Sequence, residues 1–143
     1  MIKSYLPVGE KDFVPHAYYK LQKLECPKHA SSCRTNGGCV STAKDLITFS
    51  KAFWDGMLFD KIIFKRLCVY RKLQAKKGPI FYGGGYMQIP LGVPQTLFMG
   101  KREVLEHSGS SGAFSFYYPL KDLYFTGNLL QLARPDAPIK LAP

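Results

Sequence analysis

The spacing at which apolar residues recur changes once along this chain, at Gly78-Pro79, and that change dictates what the chain can fold into. Upstream, "STAKDLITFSKAFWDGMLFD" places Ala43, Leu46, Ile47, Ser50, Phe53, Trp54 and Met57 at steps of three and four, one face of a helix. Thr42, with Asp45 three residues on, reads as the helix start. A hydroxyl there accepts from an orphan backbone N–H, and a carboxylate in the first turn suits the positive helix end. Gly56 reads as a left-handed cap. Asp60 to Leu73 predicts a second helix with Ile62, Ile63, Leu67 and Tyr70 inward, and Gly78-Pro79 ends helical structure. Downstream the period is two. "IFYGGGYMQIP" reads as one strand, its glycines marking close approach of backbone or ligand, and "VLEHS", "AFSFYYP" and "LYFTGNLL" as three more. "PLKD" reads as a hairpin turn.

Helices first and antiparallel strands after give an α+β class, with helices within 42–73 and three to four antiparallel strands within 80–131. Residues 1–38 are polar and punctuated by Pro7, Pro15, Pro27 and Gly37-Gly38, and read as an irregular arm. Residues 39–143 carry the patterned part of a single domain, and the Pro-rich tail "QLARPDAPIKLAP" reads as irregular. At 143 residues the chain is long enough to bury a core.

Composition removes several function classes. Hydrophobic content of 46% and aromatic content of 14% exclude a disordered chain. No stretch approaches the roughly 20 apolar residues that span a bilayer, so no transmembrane segment is expected. "MIKSYLPVGEKDF" has no apolar signal region, which predicts a cytoplasmic location if this is the full product. The net charge of +10 permits anionic partners, yet the densest run, Lys65, Arg66, Arg71, Lys72, Lys76 and Lys77, reads as a solvated helix face and trailing loop. No nucleic-acid-binding motif accompanies it, so nucleic acid is not favoured. Cys26, Cys33, Cys39 and Cys68 contain no C-x-x-C pair. Cys26, His29, Cys33 and Cys39 fit no standard zinc spacing; the cysteines read as free thiols and no metal is expected.

Three blocks together resemble a known family. "GGCVSTAKDLITFSKAFWDG" is similar to the GG-x-x-S-T-A-x-D-L helix of serine β-lactamase-related proteins, the class C β-lactamase, esterase and D-alanyl-D-alanine peptidase group. "YGGGYM" resembles that family's glycine-rich strand, and "EHSGSSGAFSFYYPLKDLYFTGN" its catalytic strand and following hairpin, which ends in a small residue and Asn. The blocks occur in family order from Gly37 to Asn128. The resemblance implies a partial β-lactamase/transpeptidase-like fold and acyl-serine hydrolysis of a β-lactam, D-Ala peptide or ester, chemistry that calls for no cofactor. His107 would supply a positive or hydrogen-bonding group near the reacting centre, and Ser108 a hydrogen bond to a substrate carboxylate or carbonyl. Gly109 would leave room for the substrate against the strand. The Ser110 N–H would be the strand donor of an oxyanion hole.

Ser41-Thr42-Ala43-Lys44 satisfies the family's S-x-x-K nucleophile pattern literally and opens a helix. The surrounding block already matches a different, non-nucleophilic helix, and Lys44 and His107 lie too close in sequence for the intervening helical region. The Y-x-N or S-x-N motif is absent from the chain. Ser41 and Thr42 therefore read as capping residues. Glu106 beside His107 is expected on the opposite strand face, and His16 and His29 as surface histidines rather than a shared site. The expectation is a C-terminal part of such a hydrolase, inactive alone. Its unpaired sheet edge predicts self-association or pairing with a complementary N-terminal segment. Two other readings stand beside it: a non-catalytic module binding anionic cell-wall material, and a basic nucleic-acid-binding domain.

Overall fold

The computed structural model describes residues 3–9, 11–25, 31–33, 35–72, 80–91 and 102–140. A short hairpin, β1 (Ala17–Tyr19) and β2 (Gln22–Leu24), precedes α1 (Ala43–Trp54) and α2 (Lys61–Leu67). Six strands follow: β3 (Arg71–Lys72), β4 (Phe81–Gly83), β5 (Tyr86–Pro90), β6 (Glu103–Ser108), β7 (Ala113–Tyr118) and β8 (Leu123–Asn128). They lie side by side in sequence order as one antiparallel sheet, and α3 (Ala137–Lys140) comes last. The α+β class stands, with more strands than the expected three to four.

The ends of α1 follow local chemistry. Thr42 Oγ1 accepts from the Asp45 N–H at 3.2 Å. At the other end Gly56 has φ +76°, the Gly56 N–H bonds the Phe53 carbonyl, and the Met57 N–H bonds the Ala52 carbonyl at 2.9 Å. That pair of bonds satisfies carbonyls the helix leaves open. Of the expected inner face Ser50 is buried, and Leu46, Ile47, Phe53 and Trp54 are half-buried. Ala43 and Met57 are exposed, and Met57 lies past the helix end.

Four elements differ from the sequence expectation, each through pairing or packing that local periodicity does not carry. The second helix spans only Lys61–Leu67, capped by Asp60, and Arg71 and Lys72 pair with Tyr82 and Phe81 instead of continuing it. Ile62 and Ile63 are 63% and 54% exposed, whereas Phe64 turns into the aromatic cluster of Phe53, Trp54 and Tyr86. The single strand expected over "IFYGGGYMQIP" is a hairpin, because Gly84 and Gly85 both adopt positive φ (63° and 88°), the twist a two-residue turn needs. The arm contains β1–β2, whose turn has no Gly or Asn signal: Lys20 itself takes φ 58°. The tail contains α3, which tolerates Pro138 because its first turn has no use for that N–H.

The two sheet faces carry different cores. On one, Ile89, Val104, Phe116 and Tyr118 form a buried cluster joined by Phe114, Phe125 and Ile139 of α3. On the other, Ser115 and Tyr117 meet Ser50 and Trp54 of α1, the alternation expected of β7. Among the described residues no helix is long and apolar enough to cross a membrane. Every described Lys is exposed, including Lys65 and Lys72 of the basic run; Lys76 and Lys77 lie outside the described residues.

Candidate functional site

The His-Ser-Gly triplet closes β6 and enters a tight turn. The Gly109 N–H bonds the Ala113 carbonyl at 2.7 Å, and the Gly112 N–H bonds the Gly109 carbonyl at 3.0 Å. Ser110, Ser111 and Gly112 are thus a three-residue hairpin loop, with Gly112 at φ +82° in the left-handed position such a loop requires. A Cβ on Gly112 would also meet Leu129 Cβ at 3.1 Å. Gly109 is different. Its φ is not positive, and the nearest atom to an added Cβ is the Ala113 carbonyl oxygen at 3.7 Å. Neither strain nor packing among the described residues demands glycine there.

This turn forms one wall of a groove of about 790 Å³. His107, Gly109 and Ser110 line it; Ser108 does not, and ends β6 half-buried. Ser110 is exposed in the turn rather than on the strand, so its N–H points from a loop. Residues 36–41 and the 14–17 segment form other parts of the lining, with Gly127 and Asn128 of β8. Two separated blocks of the sequence, Gly37 to Leu46 and His107 to Asn128, therefore face the same space. Among the described residues no Lys, Arg, Asp or Glu lines it.

The imidazole of His107 is exposed and packs edge-on to Tyr82, with ring centroids 5.9 Å apart. Its Nδ1 lies 2.7 Å from the Ser108 carbonyl oxygen. A carbonyl only accepts, so Nδ1 carries the proton, and in the neutral ring Nε2 is left as an acceptor. Glu106 does not orient this ring. Its carboxylate accepts from Ser50 Oγ at 2.9 Å and from Trp54 Nε1 at 2.7 Å, both on α1.

Ser41 also reaches the groove, but its hydroxyl lies 2.7 Å from Ser4 Oγ and donates to the Thr42 carbonyl at 3.3 Å. Lys44 is exposed and does not line the groove. Ser41 sits one residue before the helix cap, Thr42, and its partners are those of a loop clamp: Ser4 Oγ also donates to Asp45 Oδ2, at 3.0 Å.

Sequence reasoning missed several lining residues. His16, expected as a surface histidine apart from any shared site, is half-buried and lines the groove with His107. Cys33, Cys39 and Ser115 line it as well. His16 and the two cysteines arrive from loops whose course no periodicity reveals. Ser115 was legible as an alternating strand position, not as a groove residue. Cys26 and His29 of the rejected zinc arrangement lie outside the described residues.

Compared with protein-family models, curated proteins and solved structures, the chain finds no match in any of the three.

Proposed function

We propose that this chain is the C-terminal part of a β-lactamase-like serine hydrolase and supplies one wall of an acyl-transfer site without its nucleophile. The observation that carries the reading is the convergence of two sequence blocks of the resemblance on one groove: the helix-start block lines it between Gly37 and Leu46, and the His-Ser-Gly turn lines it through His107 and Gly109. In this reading His107 offers Nε2 toward a reacting group, and the Ser110 N–H donates to the charge developing on an acyl oxygen. Ser108 holds the His107 ring through its carbonyl, and because it does not line the groove the substrate hydrogen bond implied for it by the resemblance is not assigned to it. Gly109 supplies space for the acyl group, which accords with a glycine that the chain's own packing does not require. The chemistry is attack on an amide, ester or β-lactam carbonyl through a serine supplied from elsewhere, and it uses no cofactor. This polypeptide alone does not turn substrate over.

The same reading extends to the sheet edge. β8 pairs with β7 on one side and, among the described residues, ends the six-strand order on the other, an edge that could take a further strand from a second copy or a complementary segment. Sedimentation of concentrated protein tests this part; a strict monomer removes it. The two binding readings, anionic cell-wall material and nucleic acid, find less support at this groove, where no Lys or Arg lines it among the described residues.

The deciding experiment is intact-mass analysis after incubation with a reactive penicillin and, separately, an activated fluorophosphonate. No adduct is expected. A stoichiometric adduct on Ser41, lost in Ser41→Ala, overturns the proposal and makes the Ser41–Lys44 pattern catalytic.

A further inference from the structure

Phe64 fixes how α2 lies on the protein. Its ring packs edge-on to Phe53 and Trp54 of α1 and stacks on Tyr86, so its side of the helix is the inner one. At about 100° per residue, Ile62 and Arg66 fall opposite it, with Ile63 and Lys65 on the two flanks. Exposure agrees: Ile62 and Ile63 are 63% and 54% exposed, and Lys61, Lys65 and Arg66 are exposed beside them. The loop entering the helix extends this surface with Met57 and Leu58, 78% and 47% exposed. The stem of Lys61 lies over that loop, since a Cβ on Gly56 would sit 2.8 Å from Lys61 Cγ and Cε. Apolar and cationic side chains thus share one outer face. The charge there is one-sided. Asp55 to Lys72 holds five cations, Lys61, Lys65, Arg66, Arg71 and Lys72, against Asp55 and Asp60. Asp60 is committed to the cap, accepting from the Ile62 N–H at 2.7 Å. No ion pair among the described residues involves any of the five cations. Residues 73–79 and 92–101 contain no Asp or Glu, so those segments bring no carboxylate to neutralise them.

We infer that the face from Met57 to Arg66 docks on an anionic lipid bilayer. The exposed apolar side chains enter the headgroup layer, and the Lys and Arg stems run alongside them to the lipid phosphates. Charge complementarity selects the anionic surface, because each cation held near it adds to the attraction. A protein partner fits this face less well. The cores of protein interfaces are depleted in Lys, whereas here Lys61 and Lys65 stand among the apolar anchors. A nucleic acid would use the cations and leave Ile62 and Ile63 in water. None of these residues lines the groove beside His107, so the inference stands apart from the acyl-site reading.

Cosedimentation of the full chain with phosphatidylcholine vesicles, with and without roughly one-third phosphatidylglycerol, is the test. The chain is expected to bind the anionic vesicles and to bind the neutral ones at least about tenfold more weakly. Lys65→Gln with Arg66→Gln should weaken anionic binding roughly 25-fold, about fivefold for each cation removed. Ile62→Ser with Ile63→Ser should weaken it at least about tenfold and leave its dependence on salt as it was. Both variants change exposed side chains, and circular dichroism checks that each remains folded; the glutamine pair carries the test if the serine pair does not fold. Equal binding to the two kinds of vesicle, or no binding to either, overturns the inference. Vesicle binding that the isoleucine pair does not affect overturns it too, since the attraction is then charge alone. Tighter retention on a DNA duplex than on anionic vesicles assigns the cations to nucleic acid. A dimer that forms in place of vesicle binding, and that Ile62→Ser with Ile63→Ser abolishes, assigns the face to a second copy; either result overturns the inference and leaves the acyl-site reading untouched.

Discussion

The indole N–H of Trp54 donates to the Glu106 carboxylate at 2.7 Å, and Glu106 receives it from a backbone at φ +98°. A non-glycine residue in that region costs on the order of 1–3 kcal/mol. By strand alternation Glu106, paired with Phe116, would face the Phe116 core; its carboxylate instead reaches α1. The bonds from Trp54 and Ser50 offset the backbone strain and tie the strand that carries His107 to the helix. This corrects the expectation drawn from alternation alone, although Glu106 and His107 still do not act as a pair.

Glu106→Ala should lower stability by about 2–3 kcal/mol, since it removes both bonds to a charged group and keeps the strained φ. Glu106→Gly loses the same bonds but relaxes the backbone, and should be the more stable variant by about 1 kcal/mol. Urea unfolding of the two side by side decides this. An alanine variant equal to or better than glycine would show that the φ stores no strain.

Gly83→Ala should destabilise by about 1–3 kcal/mol. Its new Cβ would sit 2.7 Å from the Val69 carbonyl oxygen, backbone that cannot swing aside. Gly9→Ala has open space within 4 Å and serves as the neutral control. Thermal unfolding of both reads the contrast.

Phe116→Ala, at a position 2% exposed in the core between the sheet and α3, should cost about 3–5 kcal/mol. Ile62→Ala, 63% exposed on α2, should stay within about 0.5 kcal/mol. Comparable losses at both positions would mean that the exposed α2 face is covered in solution.

Stability should fall above pH 10. Burial raises the phenol of Tyr86 well above its ordinary 10.0, helped by its hydrogen bonds to Cys68 and Tyr70, and burial also raises Tyr70, Tyr117 and Tyr124. The sign follows from the proton: these groups hold it more tightly folded than unfolded. Their contribution is complete below 10 and is lost as the pH climbs from there toward the raised folded values. Tyrosinate absorbance and circular dichroism recorded together should show these phenols ionising only as the fold melts. Ionisation of all nine tyrosines near 10 in the native state would contradict it.

Much of the framework was legible locally because it depends on neighbours a few residues apart. Thr42 caps α1 and Gly56 ends it through bonds within one turn, and the strands over "VLEHS" and "AFSFYYP" follow from side chains alternating about the backbone. The His-Ser-Gly stretch was legible as a candidate only together with the blocks that flank it in the sequence. The tertiary structure decided what depended on partners distant in the chain. Arg71 and Lys72 leave the helical pattern because β4 offers them backbone bonds, and Glu106 turns from its expected face because α1 presents Ser50 and Trp54. The groove itself exists only where loops far apart in sequence meet, bringing His16 and Ser41 opposite the His107 turn. Local preferences set the elements; which polar groups face one another across a gap is set by packing, and no periodicity along the chain encodes it.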